Sequence, residues 1–263
     1  MVDETLLSRI EDAGLNASAP PQQRWLDGWL LRFSPGKAKR ARCVNAVAIG
    51  RLPLADKLRL AGDVFREAGL PMVVRITRFT QPAGLDGQLA AQGFAMLDDT
   101  RVMVCPALPA AADHAQPLAP PAGTHWARLA AASYAAEVGA LRGSPPEQRL
   151  AHAERLAHSP VAYQGWAIRR DGDGSVLACG QFAREAELVG LYDIYTRESE
   201  RGRGLARLLC RQLLALAAAE GAAVGYLQVD ADNEAARRIY RGLGFADAYA
   251  YHYRQAPDSE PGG

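Results

Sequence analysis

Between residues 201 and 245 the chain runs through a glycine turn, a helix, a strand, a second helix and a glycine-aromatic close, an order that few folds accept. Arg201-Gly202-Arg203-Gly204-Leu205-Ala206 opens the stretch. Leu205, Leu208, Leu209, Leu213 and Leu216 then recur at three and four residues, which predicts an amphipathic helix lying on a sheet. Gly221 stands where such a helix is commonly capped. Residues 224–229 read as a strand. Residues 233–240, Asn233 through Tyr240, read as a second helix before Gly242-Leu243-Gly244-Phe245.

A helix begins with unpaired backbone N–H groups and a partial positive charge. Gly202 and Gly204 let an anion approach that backbone, and Arg201 and Arg203 add charges that fork around phosphate oxygens. A pyrophosphate is the guest this pattern predicts. A dinucleotide fingerprint would need a third glycine where Arg207 stands, and a P-loop would need Gly-Lys-Ser/Thr. The plain alternative for the hexapeptide alone is an ordinary helix start. Seven residues separate Asn233 from Tyr240, so the two share a helix face with the small Ala236 between them. A phenol there can protonate a departing thiolate, given local help, since tyrosine titrates near ~10 and a cysteine-like thiol near ~8.5. The alternative is a core aromatic at Tyr240 and a helix cap at Asn233; capping is expected of Asn233 in either case.

Together these segments resemble the acyl-coenzyme A core of the GCN5-related N-acetyltransferases (GNATs). Residues 201–206 match the Q/R-x-x-G-x-G/A motif with Ala206 in the last place, and residues 233–245 match the Asn-x-x-Ala…Tyr…Gly-Phe segment. The resemblance implies the α/β (α+β) mixed-sheet fold of acyl-CoA N-acyltransferases, with acetyl-CoA as co-substrate. It implies that main-chain groups of Ile194, Tyr195 and Thr196 meet the acetyl-pantetheine, in a slot opened where that strand splays from the next. By the same resemblance Arg201, Gly202, Arg203, Gly204, Leu205 and Ala206 hold the pyrophosphate, Asn233 and Ala236 border the pantetheine arm, and Tyr240 is the general acid. The implied reaction moves an acetyl group to a primary amine of a small molecule, peptide or protein by direct attack in a ternary complex. A non-catalytic acyl-CoA-binding or sensing module, and a transferase of another acyl group, stay open. One departure stands out: many relatives place a proline soon after the splayed strand, where this chain has Arg197-Glu198-Ser199-Glu200.

The acceptor amine must be neutral to attack, so a base or a water path to one is expected. Asp193 is the catalytic candidate, on the strand beside the acetyl group, with Glu185 and Glu187 as others; a structural carboxylate is the competing reading for each. The basic cluster Lys37-Ala38-Lys39-Arg40-Ala41-Arg42, near Trp25 and Trp29, suits an acidic acceptor, the coenzyme's 3′-phosphate or a solvated turn.

Composition frames the reading. Thirty Lys and Arg against 29 Asp and Glu leave a net charge of +1, which implies no bulk attraction to nucleic acid or membrane. Cys43, Cys105, Cys179 and Cys210 lack any C-x-x-C spacing, so reduced, buried thiols in a cytoplasmic protein are expected. The start, Met1-Val2-Asp3-Glu4, does not read as an export signal. The histidines form no metal spacing, and a homodimer stays open.

Residues 106–123, rich in proline and alanine, read as a linker, and 256–263 as a flexible tail. The expected organisation is therefore a degenerate GNAT-like domain at 1–105 and a catalytic GNAT domain at 124–255, two mixed-sheet units in tandem. Two helices are predicted within 124–158, broken near Gly143-Ser144-Pro145-Pro146. Strands are predicted at 161–170, 175–184, 187–196 and 245–254. A weak internal repeat supports the tandem: Gly28-Trp29 resembles Gly165-Trp166 at an offset of 137, and Gly93-Phe94 resembles Gly244-Phe245 at 151. At 151, Gly204 falls on Pro53 and Tyr240 on Leu89, so the first half loses the phosphate loop's N–H and the phenol.

Overall fold

A computed structural model describes residues 3–36, 38–109 and 118–257. In chain order the first elements are helix α1 (Glu4–Ala17), strands β1 (Gln23–Leu26), β2 (Trp29–Arg32) and β3 (Val44–Ala46), helix α2 (Leu54–Glu67), strand β4 (Val73–Ile76), helix α3 (Leu85–Ala91) and strand β5 (Ala95–Cys105). Then follow strand β6 (Thr124–Leu129), helices α4 (Ala131–Leu141) and α5 (Pro146–Ala157), and strands β7 (Tyr163–Arg170), β8 (Val176–Glu185) and β9 (Leu188–Thr196). Helix α6 (Leu205–Ala219), strand β10 (Val224–Asp230), helix α7 (Glu234–Arg241) and strand β11 (Ala246–Gln255) complete the described chain.

The described residues form two compact units, and these do not follow the expected sequence halves. The larger gathers residues 3–17, 102–109, 118–229 and 233–248, and the smaller gathers 18–36, 38–101, 230–232 and 249–257. Strands β5 and β11 each begin in one unit and end in the other. Each unit thus takes a strand segment from beyond its own half of the sequence.

In the larger unit, β6, β7, β8 and β9 run antiparallel to their neighbours, and β10 is parallel to β9. A parallel pair needs a crossover, and α6 supplies it. The helix buries Leu205, Leu209 and Leu213 against Ile168, Ala178, Phe182, Val189 and Leu191 of the sheet. Tyr134, Ala135 and Val138 of α4 pack with Ala167 and Cys179, a second core cluster. Alternation along β8 explains the two clusters, since Ala178 and Phe182 fall in the first and Cys179 in the second. The expected strands lie within two residues of β7, β8 and β9, and the break between α4 and α5 falls where the prolines stand. Strand β6 and helix α1 are additions to the expectation.

The linker is tied down at both described ends: Leu108 N donates to Ala223 O at 2.8 Å, and Leu118 N donates to Gln212 Oε1 at 2.9 Å. Residues 110–117 of the linker, 258–263 of the tail, and Lys37 of the basic cluster lie outside the described residues.

The smaller unit has β1, β2 and β3 antiparallel, β4 parallel to β3 across α2, and the end of β11 antiparallel to β4. Its order of strand, crossover helix, parallel strand, helix and strand repeats that of β9, α6, β10, α7 and β11. Trp29, Leu31, Val44, Phe65, Val74 and Leu89 form its core. Lys39 of the basic cluster pairs with Asp98 at 2.6 Å. Just before α2, the Asp27 carboxylate accepts from Arg51 N and Leu52 N at 2.9 and 2.8 Å, with the buried Lys57 Nζ 3.2 Å away.

Candidate acyl-coenzyme A cleft

Strands β9 and β10 are paired from Leu188↔Val224 to Leu191↔Leu227, and the ladder between them ends there. The divergence coincides with an irregularity in β9. Opposite it, Gln181 pairs with Tyr192 and Cys179 with Tyr195, so β9 carries one extra residue there. Asp193, in the extra stretch, has φ of +53°. A bulge bends its strand, and here the bend leaves a slot.

Helix α6 begins at the mouth of that slot. Gly202 and Gly204 have φ of +78° and +77°, a region that favours glycine, and no side chain caps the first turn. Its leading N–H groups therefore face the slot without an internal acceptor. Helix α7 forms the opposite wall. Asn233 caps it, accepting from Ala236 N at 3.1 Å.

The resulting cleft, about 670 Å³, is lined by eleven of the thirteen residues expected from the sequence. Ile194, Tyr195 and Thr196 come from β9; Arg201, Gly202, Gly204, Leu205 and Ala206 from the turn and α6; Asn233, Ala236 and Tyr240 from α7. Thr196 Oγ1 is buried with no hydrogen-bond partner among the described residues, a polar atom left for a guest. Arg201 lies over the Tyr195 ring, 5.8 Å from its centroid.

Two expected residues are not on the lining. Arg203 turns to Glu200, with Nη1 2.5 Å from Oε2. Glu200 is also held by Arg170 at 2.7 Å. The hydrogen bond from Arg203, opposed by partial burial and aided by Arg170, keeps the Glu200 carboxyl below the usual carboxylate range. The acidic run after β9 is thus neutralised by arginines rather than left to repel phosphate. Asp193 lies among partners instead of facing the cleft. Arg142 Nη1 donates to its Oδ1 at 3.0 Å and Gln181 Nε2 to its Oδ2 at 2.8 Å. His152 Nε2 stands 3.2 Å from Oδ2, near enough to pair electrostatically but out of line for a hydrogen bond. Burial alone would raise this carboxyl, but His152 and Arg142 outweigh it and hold it well below the usual range.

Sequence reasoning missed Glu200, Arg207, Cys210, Ala235 and Ile239 on the lining. Helical spacing carried a signal for two of them: Cys210 is four residues after Ala206, and Ile239 three after Ala236. Burial, with Cys210 nearby, raises the Tyr240 phenol above its ordinary value. Burial also pushes the Cys210 thiol up to about 12. Both stay protonated at neutral pH. Tyr240 also packs edge-on to Phe245, with ring centroids 6.3 Å apart. The other carboxylate candidates stand at the β8–β9 turn, the far end of β9 from Thr196. Glu185 accepts from Asn16 at 3.1 Å, and Glu187 pairs with Arg9 at 2.5 Å.

A splayed parallel pair, an uncapped helix start and a tyrosine on the next helix line one cleft. The family described as "probable histone acetyltransferase Rv0428c C-terminal" matches residues 7–254, and the chain belongs to it. The chain is an N-acetyltransferase of GNAT type. It is 26% identical over 235 residues to the uncharacterized N-acetyltransferase YobR of Bacillus subtilis (strain 168), covering 88% of this chain and 91% of that one. Among solved structures, a GCN5-related N-acetyltransferase from Kribbella flavida superposes with a TM-score of 0.60 at 18% identity, covering 96% of both chains. A tandem GNAT protein from the clavulanic acid biosynthesis pathway gives 0.58 at 15% identity, over 78% of this chain and 70% of that one. The likeness to these two is one of fold. No helix among the described residues is long and apolar enough to cross a membrane.

Proposed function

We propose that the cleft binds acetyl-CoA and that the residues of the larger unit transfer its acetyl group to a primary amine. The observation that carries this reading is the convergence of three separate sequence segments, 194–196, 201–206 and 233–240, on one cleft. The α6 N–H groups, with Arg201, suit the pyrophosphate, because a helix start and a guanidinium both favour phosphate oxygens. Main-chain N–H of the end of β9 beyond its ladder with β10 stabilises the oxyanion that forms as the amine attacks. Tyr240, kept protonated, donates to the departing sulfur. With its phenol raised, proton transfer runs with the build-up of charge on sulfur rather than ahead of it.

In the smaller unit the carboxylate of Asp27 already occupies the amides before α2, Pro53 offers no N–H, and Leu89 stands where the repeat would put a phenol. These features favour the second half of the chain as the catalytic one. A panel of small amines and amine-bearing peptides incubated with acetyl-CoA tests the reading. Amine-dependent release of free coenzyme A is the expected result. Binding of acetyl-CoA with no release across the panel would favour the sensing module instead, and preference for a longer acyl-CoA would change the donor.

A further inference from the structure

Asp193 is held by four side chains, and they come from three elements. Its carboxylate meets Gln181 of β8, Arg142 at the end of α4 and His152 of α5, at 2.8, 3.0 and 3.2 Å. Its carbonyl oxygen accepts from the Tyr134 hydroxyl of α4 at 3.0 Å. Arg142 also lies over the Tyr195 ring, 5.5 Å from the centroid, and His152 packs edge-on to Tyr134 at 6.4 Å. At the centre of this knot the backbone has φ of +53°, a region uncommon outside glycine though easier for Asp and Asn than for other residues. The next three residues are the β9 lining of the cleft.

We propose that Asp193 is a positioning residue: its ion pair with Arg142, braced by Gln181 and His152, fixes the β9 bulge and so aims the main-chain groups of Ile194–Thr196 at the acyl group. The proposal rests on the cleft being the acetyl-CoA site, and it takes Asp193 out of the role of general base. Both oxygens already have donors, and Asp193 is not among the residues that line the cleft. A carboxylate so engaged gains little by taking a proton. It is instead a fixed anion around which α4 and α5 are fastened to the strand that carries the chemistry.

The test compares wild type, Asp193→Asn, Arg142→Met and the double variant, using the best amine from the panel. Asparagine tolerates the left-handed backbone and keeps its oxygen for Arg142, and the Gln181 amide can turn over to accept from its NH2, so the charge is the main thing removed. Misplacing reacting groups by about 1 Å costs on the order of 10²-fold in rate, so Asp193→Asn should lower kcat by roughly that factor and raise the KM for acetyl-CoA. The deficit should be the same at every pH from about 8 to 10, above the range in which a histidine ordinarily titrates, whereas loss of a base would be made good about tenfold per pH unit as the amine loses its own proton. Arg142→Met should act in the same direction, and the double variant should be no worse than Asp193→Asn, because the two residues act as one unit.

Full turnover in folded Asp193→Asn, recovery at high pH, or additive effects would each overturn the proposal, as would a variant that melts lower but turns over normally per folded site. If Asp193→Asn does not fold, Arg142→Met decides, since Arg142 is partly exposed, and an unchanged kcat there overturns the proposal. Wild type that neither binds acetyl-CoA by calorimetry nor releases coenzyme A sinks the functional reading itself, and this proposal with it.

Discussion

Tyr240 offers the sharpest distinction between chemistry and packing. Its ring touches the core beside Phe245 while its side chain lines the cleft. Tyr240→Phe keeps the ring and deletes the proton, so turnover should fall by about 10²–10⁴-fold with acetyl-CoA affinity nearly unchanged. Steady-state rates and calorimetry on the one variant check this; unaltered turnover would leave Tyr240 a core aromatic. Asp193 carries a second prediction, in stability. Its folded pKa is depressed, so the stabilisation is present above the unfolded carboxyl value, about 3.9, and is lost as pH falls below it towards the folded value. The melting temperature of wild type should therefore exceed that of Asp193→Asn at pH 7, and the gap should close as pH drops below about 4. A gap independent of pH would remove the charge from the account. Most of the cleft lining was reached from the sequence through the family resemblance, which glycine turns and helical spacing carry as local signals. The surroundings of Asp193 were not, because Arg142 lies 51 residues away in sequence and only the folded α4 brings it near.

At the scale of the element, the two crossover helices differ at their first turns. Helix α6 starts from two left-handed glycines with its leading N–H groups uncapped. The turn before α2 is closed by Asp27, whose pKa is lowered chiefly by the amides of Leu52 and Arg51. Gly204→Glu should abolish acetyl-CoA binding, since it puts a like charge at the anion site and a side chain where φ is +77°. Calorimetry returning wild-type affinity would remove the α6 turn from the site. Elements with a strong period were readable in advance. Strand β6 was not: residues 124–158 carry helical signals, and Thr124–Leu129 become a strand only through the ladder with β7. Tertiary pairing overrode local preference there.

Across the whole molecule, one uncapped glycine turn among the described residues, that before α6, leads us to predict one acetyl-CoA per chain, and calorimetry finding two equivalent sites would overturn it. The traded strand segments predict something about folding. The smaller unit pairs β4 with His252–Gln255, residues that lie beyond the cleft helices in sequence. The fragment 1–105 should therefore lack a stable fold of its own, although its internal repeat reads as a self-contained domain. Circular dichroism of that fragment, with or without residues 118–257 supplied in trans, checks this, and a cooperative melt of the fragment alone would contradict it. The sequence repeat was visible because both halves share an order of elements. The exchange was not, because strand patterning says which face is buried but not which strand stands alongside.

That pairing has a consequence on the ribosome. Ile76 must wait for His252, 176 residues later (252 minus 76), before its strand gains its last neighbour. At about 5–20 residues per second the interval is roughly 9–35 s. Throughout it the nascent chain carries Val73–Ile76, three apolar residues and Arg75 on an edge with unmet hydrogen-bonding groups, on the half already made. Slow codons in the second half would prolong that exposure, so the solubility of the first half depends on how quickly the second is translated.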